Sequence, residues 1–342
     1  MLDFARLSQT ERDLYFEQVA DRRDLSKRIV EKDFWVCFSL RIVFSTPELS
    51  GKFVFKGGTS LSKVFGIIDR FSEDVDLSVD PEWLGFGGEN RPEAAPSRSQ
   101  FVKRWKKLNI ACASAVNESV RPPLEEAIRS ALGVHAEGGA YLAFKLDEQT
   151  QCPVLTFSYP TTESDSAGYV HPQVKLEFGS LTDQRPIGEH SVTSWVAEEF
   201  ADAFAEPSCR VVALEAERTF WEKVTILHTE HHRPDEKPMR IRHSRDCYDV
   251  CRMAAHPVGR RAMADLALLA RVVNHKRTYF QSSWASYDTA KPGSLHILPP
   301  NHRLGALRTD YQQMQEMFTK PPPSFEDILD QLGKIERAVN GK

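Results

Sequence analysis

The chain has 342 residues, 41% hydrophobic and 10% aromatic, which is long for one compact domain, short for three, and rich enough in apolar side chains for cores in two lobes. A formal net charge of −4 gives no global attraction to nucleic acid, and no apolar run approaches the length that spans a bilayer. Six scattered cysteines and a Met1–Arg6 start without the basic-then-apolar pattern of a secretion signal point to reduced thiols in a cytoplasmic protein, with no membrane partner.

Residues 26–45 place apolar side chains at helical spacing and predict a long buried helix. Phe53-Val54-Phe55 reads as a short strand, broken by Gly57-Gly58, and Thr59 is expected to cap a helix running through Leu61, Val64 and Phe65. Val75, Leu77 and Val79 alternate with Asp74, Asp76 and Ser78, the period of a strand. A Gly- and Pro-rich loop is expected over 85–99, helices over 100–117 and 122–132, and strands at Tyr141–Phe144, Val154–Phe157 and Val170–Phe178. After about Phe200 the pattern turns helical, with helices expected at Glu215–Glu230, Ser244–Ala255, Arg260–His275 and His302–Phe318. Pro321-Pro322-Pro323 breaks the chain, and Ser324 caps a last amphipathic helix. The expected architecture is α/β (α+β): a mixed-sheet lobe over 1–200, then a helical C-terminal lobe over 201–342.

Gly57 and Gly58 allow a sharp turn and close backbone approach to a ligand, and N–H groups at the helix start favour phosphate oxygens. Thr59 and Ser60 add hydroxyls, and Lys56 or Lys63 adds a cation; the Walker spacing is lacking, so this is no P-loop. Asp74 and Asp76 leave one face of one strand, where two like charges are costly unless a cation lies between them. Mg²⁺ or Mn²⁺ suits such a pair together with substrate phosphates, although an exposed strand face explains a lone D-x-D as well. Glu177 is the candidate third carboxylate; a cross-strand salt bridge explains Lys175 and Glu177, which share one face of their strand, as well. In the helical lobe, Arg218 and Lys223 share one helix and Asp246 and Asp249 another, suited either to an interhelix ion pair or to triphosphate binding and proton transfer. His231, His232, His243, Cys247 and Cys251 fit no common zinc spacing. Basic stretches at Phe101–Leu108, Arg233–Arg245 and Arg260–Arg277 permit an RNA partner, or are solvated helix faces.

The stretches FKGGTSLSKVF, RFSEDVDLSVD, ERTFWEKVTILH and SRDCYDV, preceded by IVEKDFWV, resemble the AbiEii/AbiGii family of nucleotidyltransferase toxins, which includes the MenT-like toxins of mycobacteria. The resemblance runs from about residue 28 to 255. It implies a DNA polymerase β-like nucleotidyltransferase core with a mixed sheet plus a helical C-terminal lobe. It also implies an enzyme of a toxin–antitoxin or phage-defence system, with a cognate antitoxin protein as partner. By motif, Gly58 and Ser60 would contact NTP phosphates, Asp74 and Asp76 would hold Mg²⁺, and Lys223 would bind the triphosphate. Asp246 would be an acid/base or positioning residue, and Ser72 matches a position that an antitoxin kinase phosphorylates in some relatives. This chain has Gly57-Gly58-Thr59 where many members of that superfamily have Gly-Ser, which shifts the hydroxyl role to Thr59 or Ser60.

The expected function is therefore transfer of NMP from an NTP to an RNA hydroxyl, at the tRNA 3′ acceptor end, which blocks translation. Rival readings are nucleotidylation of a protein with AMP or UMP, and a non-catalytic NTP-binding defence regulator. Catalysis is expected to need residues of both lobes.

Overall fold

The computed structural model describes residues 1–133, 139–161 and 171–341. Two compact units emerge: Met1–Val64 with Ser72–Leu214, and Phe65–Phe71 with Glu215–Lys342. In the first unit α1 (Leu2–Ala5), α2 (Gln9–Arg23) and α3 (Lys27–Ser45) precede β1 (Phe53–Lys56), α4 (Gly57–Lys63) and β2 (Asp74–Val79). Then come α5 (Arg98–Ala115), α6 (Arg121–Leu132), β3 (Leu142–Leu146), β4 (Pro153–Phe157), β5 (Val174–Gly179), β6 (Ile187–Thr193), α7 (Trp195–Glu199) and β7 (Ser208–Leu214). The strands form one mixed seven-stranded sheet in the order β3-β4-β5-β2-β1-β7-β6.

Helix α3 is the centre of this unit. Ser26 caps it by accepting the Ile29 N–H, and every residue from Ile29 to Leu40 is buried. A helix buried on all sides needs apolar residues all round, which Phe34, Trp35, Val36 and Phe38 supply. Trp35 packs edge-on against Phe157 and stacks on Tyr159, while Phe34 meets Phe4 and Phe16. Such aromatic pairs add to the apolar area they bury. Charged Glu31, Lys32 and Asp33 are buried in the same stretch, and each therefore needs a partner.

The second unit is helical: α8 (Ala216–His231), α9 (Ser244–Ala255), α10 (Pro257–Ala264), α11 (Leu266–Tyr279), α12 (Leu304–Gln313) and α13 (Phe325–Val339). Ser324 and Asp327 form the capping box of α13, whose Phe325, Ile328, Leu332 and Val339 are buried as the 3.6-residue period requires. The expected helix over Arg260–His275 is two helices. Pro257 starts the first, and Asp265 ends it and caps the second by accepting the Leu268 N–H. The expected His302–Phe318 helix is shorter, Leu304–Gln313.

Strand β6 is absent from the expected elements, and β7 falls beyond Phe200, where the pattern reads as helical. Edge strand β6 is polar and only Val192 in it is buried, and β7 joins the sheet through its parallel pairing with β1 at Phe55 and Ala213. Strand β7 depends on β1, distant in sequence, whereas β6 pairs with β7, the next strand along the chain. The expected strand start at Val170 lies outside the described residues. Among the described residues, no helix is long and apolar enough to cross a membrane.

Candidate active site

The acidic pair lies on β2, the middle strand of the sheet. Val75 and Leu77 of β2 point into the core, which leaves Asp74 and Asp76 on the opposite, half-buried face. In β5 the same alternation buries Val174, Leu176 and Phe178 and turns Lys175 and Glu177 the other way. The register then aligns them: Asp74 faces Lys175, Asp76 faces Glu177, and on the other side of β2 Asp76 faces Lys56. Lys56, Asp76 and Glu177 form one row across three strands, and the Lys56 ammonium stands 4.0 Å from Asp76 Oδ1. Directly opposed residues on one face interact strongly.

These charges leave a signature. Burial, then Asp76 and Asp74, push the Glu177 carboxyl up to about 7, against the pull of Lys175 and Lys56. Asp74 is raised by burial, Glu73 and Asp76, against Lys175 and Lys32. Three carboxylates that repel one another on one face are hard oxygen donors, and a divalent cation is the partner that would relieve them. Among the described residues, no group of three or more side chains is arranged to hold a metal by itself. The fit is thus one of donor chemistry, with the remaining coordination left to substrate oxygens and water, as is usual for Mg²⁺.

The Gly-Gly turn is fitted to this row. Gly57 adopts φ +84°, and a Cβ there would overlap Oδ2 of Asp76. Gly57 thus lets the α4 backbone come up against the second aspartate. Gly58, half-exposed, follows in the first turn of α4. Thr59 is not the helix cap. Lys56 occupies that position without a side-chain bond, and Thr59, fully buried, donates its hydroxyl to the Asp74 carbonyl at 2.5 Å and approaches Ser72 Oγ at 3.0 Å. Ser60 is equally buried and donates to the Gly57 carbonyl at 2.8 Å. Both hydroxyls therefore brace the turn rather than face outward. Lys63, the other expected phosphate cation, lies in a buried ion pair with Asp33 at 2.6 Å.

In the helical unit Lys223 of α8 donates to Asp246 Oδ1 at 2.8 Å and pairs with Asp249 Oδ2 at 2.9 Å. Burial alone would lower the Lys223 pKa, but Asp246 and Asp249 together raise it despite Arg70. Asp246 is held well below the usual carboxylate range: burial would raise it, but Lys223, helped by His243 and Arg240, outweighs that. A carboxylate so held is a poor proton acceptor, so the geometry favours a positioning role for Asp246 over general base catalysis. Lys223 has three N–H donors, and two are directed at these carboxylates. Arg218 does not share this arrangement: it is fully buried, pairs with Glu222 at 3.1 Å, and five residues on a helix turn the side chain by about 140°.

Arg70 opens the RFSEDVDLSVD stretch quoted above, but the sequence reading gave it no role. It donates from Nε and Nη2 to the two oxygens of Asp249 at 2.8 and 2.7 Å, wholly buried. The available signal is its place four residues before Asp74 in that stretch. Of the histidines and cysteines named above, Cys247 and Cys251 are buried in α9, and His231 stacks on His296.

No curated protein sequence matches the chain. Among solved structures, the fold is similar to that of the nucleotidyltransferase toxin MenT4 from Mycobacterium tuberculosis H37Rv, with a TM-score of 0.52, 15% identity, and 96% of this chain and 90% of that chain covered. The family model described as nucleotidyl transferase AbiEii toxin, type IV toxin–antitoxin system, matches residues 39–331. With most of its length in that match, the chain belongs to the AbiEii nucleotidyl transferase toxin family of type IV toxin–antitoxin systems.

Proposed function

We propose that this protein transfers NMP from an NTP to an RNA hydroxyl, the 3′ acceptor end of tRNA, and so blocks translation until a cognate antitoxin restrains it. The reading places it in the cytoplasm, in a toxin–antitoxin or phage-defence setting. The observation that carries the transfer chemistry is the row of Lys56, Asp76 and Glu177 with Asp74 on the same face, set against the Gly57 backbone. A divalent cation bound by Asp74 and Asp76, with Glu177 as third donor, would supply charge neutralisation for the triphosphate. Backbone N–H groups at Gly57 and Gly58 would orient phosphate oxygens, and Lys56 would add positive charge beside them. By the family resemblance Lys223, which Asp246 and Asp249 hold, would bind the triphosphate and stabilise the charge on departing pyrophosphate. The proton of the attacking hydroxyl would go to a carboxylate of the acidic face, since Asp246 is held ionised by Lys223.

Support for an RNA acceptor comes from α5, where Lys103, Lys106 and Lys107 are all exposed and can follow a phosphate backbone. Ser72 stands two residues before Asp74 and bonds to Thr59. A phosphate there would add about −1.5 to −2 charges beside the acidic pair and disfavour the NTP.

The test is incubation with labelled NTPs and separate RNA and protein pools. Label is expected in RNA, and is expected to vanish in Asp74→Ala and in Lys223→Ala. Activity retained in either variant overturns the assignment, and label in protein alone favours protein nucleotidylation.

A further inference from the structure

Helix α3 carries opposite charges at consecutive, fully buried positions. Lys32 donates to Glu73 Oε2 at 2.6 Å and to the His171 carbonyl at 2.9 Å. Asp33 accepts from Lys63 at 2.6 Å on one oxygen and from the Trp195 N–H at 2.8 Å on the other. The Lys63 ammonium also stands over the Trp195 ring, 4.8 Å from its centroid. Neighbouring residues on a helix point about 100° apart, so one short piece of α3 reaches two different elements.

The partners are what give the pairs meaning. Lys63 is the last residue of α4, the Gly-Gly helix, and Glu73 immediately precedes β2, the acidic strand. Buried ion pairs are weak sources of stability, because desolvating both charges offsets most of their attraction; an apolar pair of like volume is often as good. What such a pair supplies is a fixed geometry. Two of them on adjacent residues, at the two ends of the interval 64–72, match the demand of a site in which the Gly57 backbone must lie against Asp76.

We infer that Lys32 and Asp33 are positioning residues for the transfer reaction, the first fixing the start of the acidic strand and the second fixing the end of the Gly-Gly helix. The inference rests on the transfer reading given above. Both residues precede the region matched by the family model, which begins at residue 39, so nothing in that match assigns them.

The experiment uses the full chain with the pair neutralised, Lys32→Met with Glu73→Met, so that no buried charge is left alone. The unfolding midpoint is expected to stay within about 4 °C of wild type, while kcat for NMP transfer falls at least ~10-fold and KM for NTP changes less than ~3-fold. The reversed pair, Lys32→Glu with Glu73→Lys, is expected to recover most of the lost kcat and serves as the second variant should the neutral pair not fold. Hydrogen exchange followed by mass spectrometry is expected to show faster exchange over 57–60 and 74–76 in the neutral pair. A folded neutral pair with wild-type kcat and wild-type protection there overturns the inference, as does a folded reversed pair no faster than the neutral one. A wild type that labels no acceptor defeats the transfer reading instead, and the exchange comparison then decides the positioning role by itself.

Discussion

Gly57 and Asp76 exclude one another's extra volume: a Cβ on residue 57 would overlap Oδ2 of Asp76, and Gly57 holds φ +84°. Gly57→Ala therefore meets a left-handed backbone and a steric clash together. Together these cost ~2–4 kcal/mol unless Asp76 swings away, and displacing by about 1 Å the carboxylate proposed to hold the cation costs on the order of 100-fold in rate. Loss of transfer at nearly unchanged NTP affinity is expected, measured by steady-state kinetics; a fully active Gly57→Ala would show that Asp76 need not stand there.

Asp249 and Asp246 both hold Lys223 but differ in what else depends on them. Asp249 also carries the two hydrogen bonds of buried Arg70, so Asp249→Asn leaves Arg70 without its ionic partner and is expected to cost ~3–5 kcal/mol in urea unfolding. Asp246→Asn leaves Lys223 paired with Asp249 and is expected to cost less than half as much while still depressing transfer. Equal losses of stability for the two variants would refute this division of roles.

Glu177 gives a pH dependence with a definite sign. Its carboxyl is pushed up from its ordinary value of 4.5 to about 7 by burial and by Asp76 and Asp74. The native state thus binds this proton more tightly than the unfolded chain does. Its stabilising contribution is full below about 4.5 and is lost as pH rises through about 7. Without divalent cations, Glu177→Gln is expected to raise the unfolding midpoint by a few degrees at pH 8 relative to wild type, and to change it little at pH 4. Calorimetry in chelator at both pH values checks this; a variant less stable at pH 8 would count against mutual repulsion.

Ser72 offers a regulatory test. Ser72→Ala removes a partner of Thr59, which keeps its bond to the Asp74 carbonyl, so a loss of about 1 kcal/mol or less and near-normal transfer are expected. Ser72→Glu adds a negative charge beside Asp74 and is expected to lower transfer at least ~10-fold. Equal rates in the two variants would remove the case for control by phosphorylation at this position.

The local pattern of the sequence determined the strand with Asp74 and Asp76 on one face, the glycine turn before it, the buried helix over 26–45 and the capped last helix. Each follows from a period of two or of 3.6 residues, or from one residue's backbone freedom, and needs no distant partner. Tertiary structure decided the rest. Glu177 joins Asp76, and Lys56 stands on its other side, because β5 and β1 flank β2 in one register; no local pattern encodes a register between strands about a hundred residues apart. Polar β6 went unseen because its own sequence, Ile187–Thr193, carries no apolar alternation. Thr59, Ser60 and Lys63 look like phosphate ligands in one dimension, yet burial turns their polar groups inward, to Asp74, Gly57 and Asp33. A buried polar group must find a partner or forfeit its hydration, and which partner lies within reach is a property of the folded chain.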